Sequence, residues 1–253
     1  MPKSKLLIDG DIIAYQISSQ IEEPVHWGGD QWTLHSDFGL AKKTFEEYLL
    51  TLRENLYLSD ILIFLSDRKE NFRKTLAEDY KGNRSGKRKP LCLFEMFEWL
   101  KSEHNAIVEP RLEADDLLGI YSTNPEYKNS IVVSLDKDLK TIPGKLSPDG
   151  SNIYKITKPQ AIYNHAIQIL TGDSTDNYPG CKGIGAKTAI KLLQPVEGSK
   201  TMDPYWDIIL NSYTKAGYTE QDAITQARIS YILQWKDYDF KTKKIRAWKP
   251  GCN

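Results

Sequence analysis

The sequence predicts an α/β fold in which a mainly parallel central sheet is flanked by helices and joined to a C-terminal helical layer. Three apolar runs, residues 6–8, 61–66 and 131–135, have the length and composition of buried parallel strands. An aspartate directly follows each run. From Pro159 onward the apolar residues recur almost wholly at helical spacing. Because open α/β sheets place their chemistry at the carboxyl ends of parallel strands, we expect the function to lie at one edge of the sheet.

Local patterns predict the individual elements of the first half in chain order. The strand LLID leads into a short helix over IIAYQIS, and WGGDQWTLH has the pattern of a hairpin that turns at Gly28 and Gly29. Apolar residues near helical spacing predict a long amphipathic helix over residues 38–58. After the second apolar run we expect a helix over residues 90–104, a strand AIVEP, and a helix that opens near Glu113.

The second half is predicted to be helical after one further strand, NIYKIT. Breaks in the helical pattern occur at Gly172, within GCKGIG and at Gly217. No linker rich in proline, serine or glycine divides the chain, so we expect one integrated body. Its parts are a sheet core over residues 1–157 with a basic segment at about 68–105, and a helical region over residues 158–253 with a glycine-rich turn at about 180–194.

Acidic residues crowd the predicted strand ends and two further motifs, LEADD and GDSTDN. If even half of them converge, repulsion between like charges would raise their pKa values unless a cation lies among them. Ligand sets made only of oxygen select hard ions such as Mg²⁺ or Mn²⁺. Each motif alone also fits a helix cap, an acidic first turn or a polar turn. The acids are Asp9, Asp11, Asp67, Glu113, Asp115, Asp116, Asp136, Asp138, Asp173 and Asp176.

The basic residues are also unevenly distributed, although the formal net charge is zero. They cluster over residues 68–89 and again over residues 241–249. An acidic pole and a basic pole suit a protein that holds metal ions in one place and phosphates in another. The cysteines, Cys92, Cys181 and Cys252, are too far apart to indicate a disulfide framework or a zinc site. With no apolar stretch in the first fifteen residues that could serve as a signal peptide or membrane span, we expect a cytoplasmic protein.

Two motifs suit phosphate or nucleic-acid binding. Gly183 and Gly185 precede a helix and lie between Lys182 and Lys187, so free backbone amides could bind a phosphate there. The alternative is an ordinary turn between helices. In YKGNR, an aromatic residue is interleaved with cations, as suits a single-stranded end, although a solvated charged loop fits equally well.

Taken in order, the motifs LIDGD, LSDR, YKGNR, LEADD, SLDKD, GDSTDN and GIGAK resemble those of the flap endonuclease superfamily, particularly its bacteriophage-type 5′→3′ exonucleases. The match runs from residue 7 to about residue 191, and residues 218–250 look like the helical ending of the phage branch. The resemblance implies a PIN-like 5′ nuclease core and a helix-hairpin-helix-type motif. It also implies two bound Mg²⁺ ions, with Mn²⁺ as a substitute and K⁺ at the turn of Gly183 and Gly185.

The resemblance further implies roles for individual residues. The tighter metal site would consist of Asp9, Asp67, Glu113, Asp115 and Asp116, and the second of Asp136, Asp138, Asp173 and Asp176. The catalytic residues Tyr80, Lys81 and Arg84 would clamp the scissile phosphate and the frayed 5′ end. DNA contacts would come from Arg68, Arg73, Lys74, Lys87, Arg88, Lys182, Gly183, Gly185 and Lys187. Asp11 is an extra acid that many relatives lack, so the resemblance implies no ligand role for it. The segment from Asp67 to Glu113 is short for a full two-helix arch, so whether a 5′ strand threads it stays open.

The predicted function is that of a divalent-metal-dependent 5′→3′ exonuclease or flap endonuclease. It would hydrolyse phosphodiester bonds near the 5′ end of duplex or flapped DNA, and also RNA in RNA–DNA hybrids, in the host cytoplasm if phage-encoded. The alternative enzyme is a phosphatase of the haloacid dehalogenase type with Asp9 as nucleophile and Asp11 as its acid/base partner. That scheme leaves Asp67 and the LEADD acids without a role. A non-catalytic DNA-binding protein is a third class, but clustered acids would weaken its affinity for DNA.

Overall fold

The computed structural model describes residues 3–251, and its centre is a five-stranded sheet. The strands lie in the order β4-β1-β5-β6-β7; the first four are parallel and β7 runs antiparallel to β6. The fold class predicted from the sequence is confirmed. The strands are β1 (Leu6–Asp9), β4 (Ile61–Phe64), β5 (Ile131–Val133), β6 (Gly144–Ser147) and β7 (Tyr154–Ile156).

Side-chain alternation along β1 explains how the sheet is covered on both faces. Leu6 and Ile8 point to one face, and Leu7 points to the other, because successive side chains of a strand alternate. The first face packs against the helices α1 (Gly10–Gln20), α2 (Phe38–Leu56) and α3 (Leu93–Glu103). The second face packs against α4 (Ala114–Thr123) and the chain around Ile232 and Leu233. Both faces are therefore buried, as the continuous apolar runs indicate.

A separate helical layer follows the sheet, as predicted. Its core is formed by residues such as Ile169, Tyr205 and Tyr213, all fully or almost fully buried. The breaks at Gly172 and Gly217 are confirmed, and both glycines adopt positive φ angles, 65° and 84°. The helices are α5 (Lys158–Thr171), α6 (Ala186–Leu193), α7 (Asp203–Lys215) and α8 (Glu220–Ser230).

The predicted hairpin is also confirmed. It consists of β2 (Glu22–Gly28) and β3 (Gln31–Ser36), which pair antiparallel. The turn contains Gly28 and Gly29 with φ angles of 100° and 58°, a left-handed region that favours glycine. The hairpin is exposed along most of its length, so it adds little to the core.

Two predictions of secondary structure are wrong, and one strand was not predicted. AIVEP forms only an isolated bridge between Ile107 and Phe64, because Pro110, directly after Glu109, cannot donate a ladder hydrogen bond. The strand β6 was not predicted, because its four residues, GKLS, include only one apolar side chain and so lack the pattern of a strand. The tail predicted to be helical contains a small hairpin of β8 (Tyr238–Asp239) and β9 (Lys244–Ile245).

Within residues 3–251, no helix has both the length and the apolar character needed to cross a membrane. Cys252 lies outside the described residues, and Cys92 and Cys181 are buried free thiols.

We predict that Gly119→Ala destabilises the fold by about 1–3 kcal/mol, because the added methyl group would overlap the carbonyl oxygen of Leu233 and approach Ile142 to 2.9 Å. The measurement is urea unfolding of the variant and the parent chain. Gly39→Ala is the matched control: in α2 the new Cβ meets only the Asp37 side chain, at 3.1 Å, so we expect little loss. Equal destabilisation by both substitutions would contradict this account of the packing between α4 and the chain at Leu233.

Candidate active site

The carboxyl ends of three parallel strands and the start of α4 bring six carboxylates to one cleft of about 930 Å³. The sequence predicted this convergence from the aspartates that follow the strands. Strands β4 and β5 end two residues earlier than predicted, and the chain turns there toward the cleft. These six acids are Asp9, Asp11, Asp67, Glu113, Asp115 and Asp136, and the exposed Glu70 lines the cleft as a seventh.

Asp9 is the most deeply buried of these acids, with 1% of its surface exposed. It caps α1 by accepting the backbone N–H of Ile12 at 3.1 Å, and its other oxygen accepts the hydroxyl of Ser134 at 2.7 Å. Burial and then the charge of Asp11 raise the pKa of Asp9 to about 7. Asp9 therefore serves as a helix cap and also contributes charge to the cleft.

Asp115 shares this repulsion. Burial, followed by the charges of Asp136 and Asp9, raises the pKa of Asp115 well above its ordinary value. Asp115 lies in the first turn of α4, where the helix dipole favours an acid but does not remove the repulsion. The three carboxylates Asp9, Asp115 and Asp136 form the part of the cleft in which added positive charge would be most stabilising.

Asp67 is held in a different way. Its carboxylate accepts backbone N–H groups from Arg111 at 2.8 Å and from Lys69 at 2.9 Å. Burial opposes ionisation, but these donated hydrogen bonds lower the pKa of Asp67 overall. The residue that donates one of these bonds, Arg111, has a positive φ of 65°, which is uncommon for a residue other than glycine.

Asp11, which was not assigned to either predicted metal site, accepts the backbone N–H of Ser66 at 3.2 Å. The Ser66 hydroxyl in turn accepts the backbone N–H of Ala114 at 2.9 Å. Through Ser66, Asp11 thus connects the first turn of α1 to the start of α4, where Glu113 and Asp115 lie. Burial raises its pKa, and the donated hydrogen bonds from Ser66 oppose the rise.

Arg73 is buried behind the cleft, with 3% exposure, and all five N–H donors of its guanidinium are used. They reach both oxygens of Asp116 at 2.7 and 2.8 Å, Glu113 at 2.9 Å, and the carbonyl oxygens of Ile229 and Tyr231 at 2.8 Å each. The structure contradicts the prediction that Arg73 contacts DNA, because its charge is fully engaged inside the protein.

The same network contradicts the prediction that Asp116 is a metal ligand. Asp116 is fully buried and also accepts the backbone N–H groups of Glu113 and Leu233, each at 3.2 Å. It does not line the cleft. A carboxylate paired with Arg73 in this way stabilises the start of α4, and it has no free oxygen directed at the cleft.

Tyr80 is also buried, at 3% exposure, among Tyr178 and Ile229. Its hydroxyl lies 3.0 Å from Glu113 and 3.1 Å from Asp176. The structure therefore contradicts a direct clamp by this ring on a frayed DNA end, since no face of it is free for a base.

Lys81 joins the two groups of acids. Its ammonium contacts Glu113 and lies 3.4 Å from Asp176, and Arg84 also contacts Asp176. Burial alone would lower the pKa of Lys81, but the charges of Glu113 and Asp176 raise it. Burial likewise opposes the charge of Glu113, whereas Lys81 and Arg73 lower its pKa to about 2. Lys81 and Glu113 are both charged at neutral pH.

The remaining acids lie beside the cleft. Burial and the charge of Asp136 raise the pKa of Asp138 to about 7, and Asp138 accepts the side-chain amide of Gln168 at 2.6 Å. Asp173 pairs with Lys137 at 2.8 Å. Asp136 interacts with Asp9 and Asp115, so it belongs with the first group and not only with the second, as the sequence had divided them.

The donor set of the cleft fits a hard divalent cation, because it consists of carboxylate oxygens whose repulsion a cation would relieve. In the arrangement described for residues 3–251, no three side chains of His, Cys, Asp or Glu are close enough together to hold one ion. Lys81 and Arg84 instead neutralise Glu113 and Asp176.

The cations predicted to contact DNA have different environments. The guanidinium of Arg68 lies over the rings of Phe94 and Phe97, at 4.3 and 4.5 Å, and lines the cleft together with Lys74. Lys87 is exposed. Arg88 is exposed too, but forms two hydrogen bonds with Glu22, at 2.6 and 2.7 Å.

The glycine-rich turn precedes α6 as predicted. Gly183 has a φ of 82°, and no side chain caps α6 at Gly185. Lys182 and Lys187 are exposed on either side of the turn. The N-terminal N–H groups of a helix without a side-chain cap are suited to a phosphate oxygen.

Sequence reasoning missed two serines that position the acids, Ser66 and Ser134. The Ser134 hydroxyl donates to Asp9 and accepts the backbone N–H of Asp136 at 3.1 Å, so one side chain joins two carboxylates. Each serine lies within two residues before the aspartate that follows its apolar run, and this hydroxyl near a strand end was the available signal. Tyr15 and Gln16 also line the cleft without having been singled out, as does Lys89 of the predicted basic cluster.

Comparison with known proteins agrees with this architecture. Residues 5–168 match the family model described as 5′-3′ exonuclease, N-terminal resolvase-like domain. The exodeoxyribonuclease of Enterobacteria phage T3 is 30% identical over 98% of this chain and 93% of its own length. The exonuclease of Escherichia phage T7 is 30% identical over 98% of this chain and 94% of its own length.

Solved structures show the same fold at lower sequence identity. The T5 D15 protein, co-crystallised with metal ions, covers 89% of both chains with a TM-score of 0.63 at 15% identity. The T5 5′-exonuclease with bound zinc covers 91% of both chains with a TM-score of 0.62 at 16% identity. These comparisons do not support the phosphatase alternative. Because the family model covers most of the chain and both phage enzymes align over nearly their full lengths, the chain belongs to the 5′-3′ exonuclease family.

Proposed function

We propose that this chain is a divalent-metal-dependent 5′→3′ nuclease that hydrolyses phosphodiester bonds near the 5′ end of duplex or flapped DNA. The observation that supports it most is the cleft lined by seven carboxylates and bordered by Lys81, Arg84, Arg68 and Lys74. A phosphatase acting through Asp9 would leave most of these acids unused, and a binding protein would lose affinity for DNA through them. The full-length match to two phage exonucleases supports the same reaction.

We propose Mg²⁺ as the natural ion, with Mn²⁺ as a substitute, and two ions in use. The residues that would hold them are Asp9, Asp67, Glu113, Asp115 and Asp136, with Asp138, Asp173 and Asp176 as the second group. Divalent ions in such a site supply the charge that activates a water molecule and stabilises the leaving oxygen. A D15 variant of phage T5 was crystallised with DNA and metal ions, which supports this choice. Asp11 would act indirectly, by fixing Ser66 beside Asp67.

The protein's own cations would bind and orient the substrate. Lys81 stays protonated between two carboxylates and lies at the wall of the cleft, where a phosphate oxygen can approach it. Arg84 is the more exposed of the pair, so it can reach the strand at the cleft entrance. Together they would neutralise charge that develops on the attacked phosphate.

A second DNA contact would lie at Gly183 and Gly185, where backbone N–H groups and Lys187 can hold the phosphates of the duplex. We also propose that K⁺ binds at this turn. We further propose that the enzyme accepts RNA in RNA–DNA hybrids as a substrate, and that it acts in the cytoplasm.

We further infer that the sheet core and the helical region act as one body, with a boundary near residue 157. The side chain of Asn164 donates to the carbonyl oxygen of Lys140 at 2.8 Å, and Gln168 donates to Asp138. Arg73 adds a buried contact from the core to the end of α8 through Ile229. These bonds fix the distance between the cleft and the turn at Gly183, so the duplex contact and the cleavage point are set together.

We predict that Asp115→Asn lowers the cleavage rate by about 100- to 1000-fold while DNA binding stays measurable, because the change removes a charged oxygen from the reacting site. End-labelled duplex DNA reports cleavage, and a gel-shift measurement without added metal reports binding. Asp30→Asn, the same change at the exposed hairpin turn, is the control and should cleave normally. Full activity of the Asp115 variant would refute the assignment.

We predict that Mg²⁺ stabilises the protein more at about pH 8 than at about pH 6. In the folded protein without metal, the pKa values of Asp9 and Asp138 are raised to about 7, so the folded state binds more protons than the unfolded state between about pH 4 and 7. These groups therefore lower the free energy of unfolding as pH rises through that window. Metal binding requires the ionised form, so it reverses the loss.

Thermal unfolding with EDTA and with Mg²⁺ at matched ionic strength measures this difference. An equal gain in melting temperature at both pH values would contradict it.

We predict that Lys187→Ala weakens DNA binding for all sequences and reduces the slope of log K against log salt concentration by about 0.9, the value for one lost phosphate contact. Fluorescence anisotropy of labelled duplex DNA over a salt series gives both quantities. Lys215→Ala, an exposed lysine at the end of α7, is the matched control. An unchanged slope for Lys187→Ala would show that α6 does not touch the backbone.

A further inference from the structure

A second pocket, of about 320 Å³, lies on the other side of a short 3-10 turn from the acidic cleft. The turn is Phe72–Thr75: Lys74 lines the cleft, whereas Phe72 and Thr75 line this second pocket. We call it the tail pocket, because residues of the C-terminal tail form one wall. Its apolar lining includes Phe72, Leu76, Leu233, Ile245, Ala247 and Trp248.

Three cations border the tail pocket and come from three separate elements. They are Arg111 before α4, Arg228 in α8 and Lys244 in β9. Among the residues that the structure describes, no carboxylate lines the pocket. Within the part of the chain from residue 3 to residue 251, none of the three has an acidic partner within 4.0 Å. The tail pocket therefore presents uncompensated positive charge around an apolar interior.

The protein holds two of these cations in place through backbone carbonyls. Arg228 donates from Nε to the carbonyl oxygen of Trp248 at 3.0 Å, and Arg111 donates to that of Lys243 at 3.4 Å. Each guanidinium keeps further N–H donors for another acceptor. Oriented arginines with spare donors are suited to carboxylates, which they bind through two parallel hydrogen bonds.

The aromatic rings of the tail pocket are not free for stacking with nucleobases. Trp248 packs on Trp206 with ring centroids 5.3 Å apart, and the guanidinium of Arg73 lies 4.6 Å from the centre of the Phe72 ring. The hydroxyl of Tyr231 donates to Asp237 at 2.9 Å, so it does not read a base edge. The lining thus suits an inserted apolar side chain better than a stacked base.

We propose that the tail pocket binds a short acidic segment of a partner protein, which inserts one large apolar side chain between Arg111, Arg228 and Lys244. Carboxylates of the segment pair with the three cations, and the inserted side chain fills the apolar interior. The basic tail, which the nuclease reaction does not use, then acts as a recognition surface. Because the backbone N–H of Arg111 holds Asp67, the partner docks directly beside the nuclease cleft.

The test uses the full chain and a fluorescent synthetic peptide in which one phenylalanine is flanked by aspartates. We expect saturable binding by anisotropy, a loss of about tenfold or more for Lys244→Glu, and a similar loss when serine replaces the phenylalanine of the peptide. Lys241→Glu is the matched control: it makes the same charge change in the turn of the same hairpin but outside the pocket, and should have a much smaller effect.

Ala247→Glu provides a second variant at an exposed position of the pocket wall, in case Lys244→Glu perturbs β9. It should also weaken peptide binding, because it adds a negative charge to the pocket. Absence of saturable binding by the parent chain overturns the proposal, and so do equal effects of Lys241→Glu and Lys244→Glu. Displacement of the peptide by DNA, with Lys244→Glu weakening DNA binding more than Lys241→Glu, would assign the pocket to the DNA path instead.

Discussion

Repulsion among the carboxylates of the cleft is the constraint to which the surrounding structure responds. Burial and like charge raise the pKa values of Asp9 and Asp115, and within residues 3–251 neither carboxylate is hydrogen-bonded to a basic side chain. Glu113, only two residues from Asp115, is fully ionised because Lys81 and Arg73 surround it. The cleft thus contains acids that are already compensated and acids that still require positive charge. This uneven compensation is what a site needs if it is to attract divalent ions.

Arg73 supports the active site from behind the cleft. By using every donor on buried acceptors, it fixes the start of α4 against the end of α8. Removing one member of such a network would leave an uncompensated charge inside the protein, so the network is costly to alter. Asp116 pairs with Arg73 and is therefore not available to the cleft. This pairing holds Glu113 and Asp115 in defined positions at the cleft. The acids of LEADD therefore have different roles although they lie in one helical turn: Asp116 supports the fold, and Glu113 and Asp115 line the cleft.

The 3-10 turn Phe72–Thr75 has a different chemical environment on each side. Toward the cleft it contributes Lys74 to a surface suited to phosphates, and on its other side Phe72 borders the apolar tail pocket. Arg111 has a similar double position, since its backbone supports Asp67 while its side chain reaches the pocket.

The sequence by itself determined the parallel sheet, the two helical layers and the crowding of acids at one sheet edge, because apolar periodicity and strand ends are local patterns. It could not show that β6 exists, nor that Asp116 and Tyr80 are buried. Glu113 and Asp116 lie three residues apart, yet partners distant in the chain decide which faces the cleft. Arg73 binds both oxygens of Asp116, whereas the second oxygen of Glu113 contacts Lys81 at the cleft wall. Tertiary structure decided these roles, because the charge and burial of a side chain depend on neighbours that are distant in sequence.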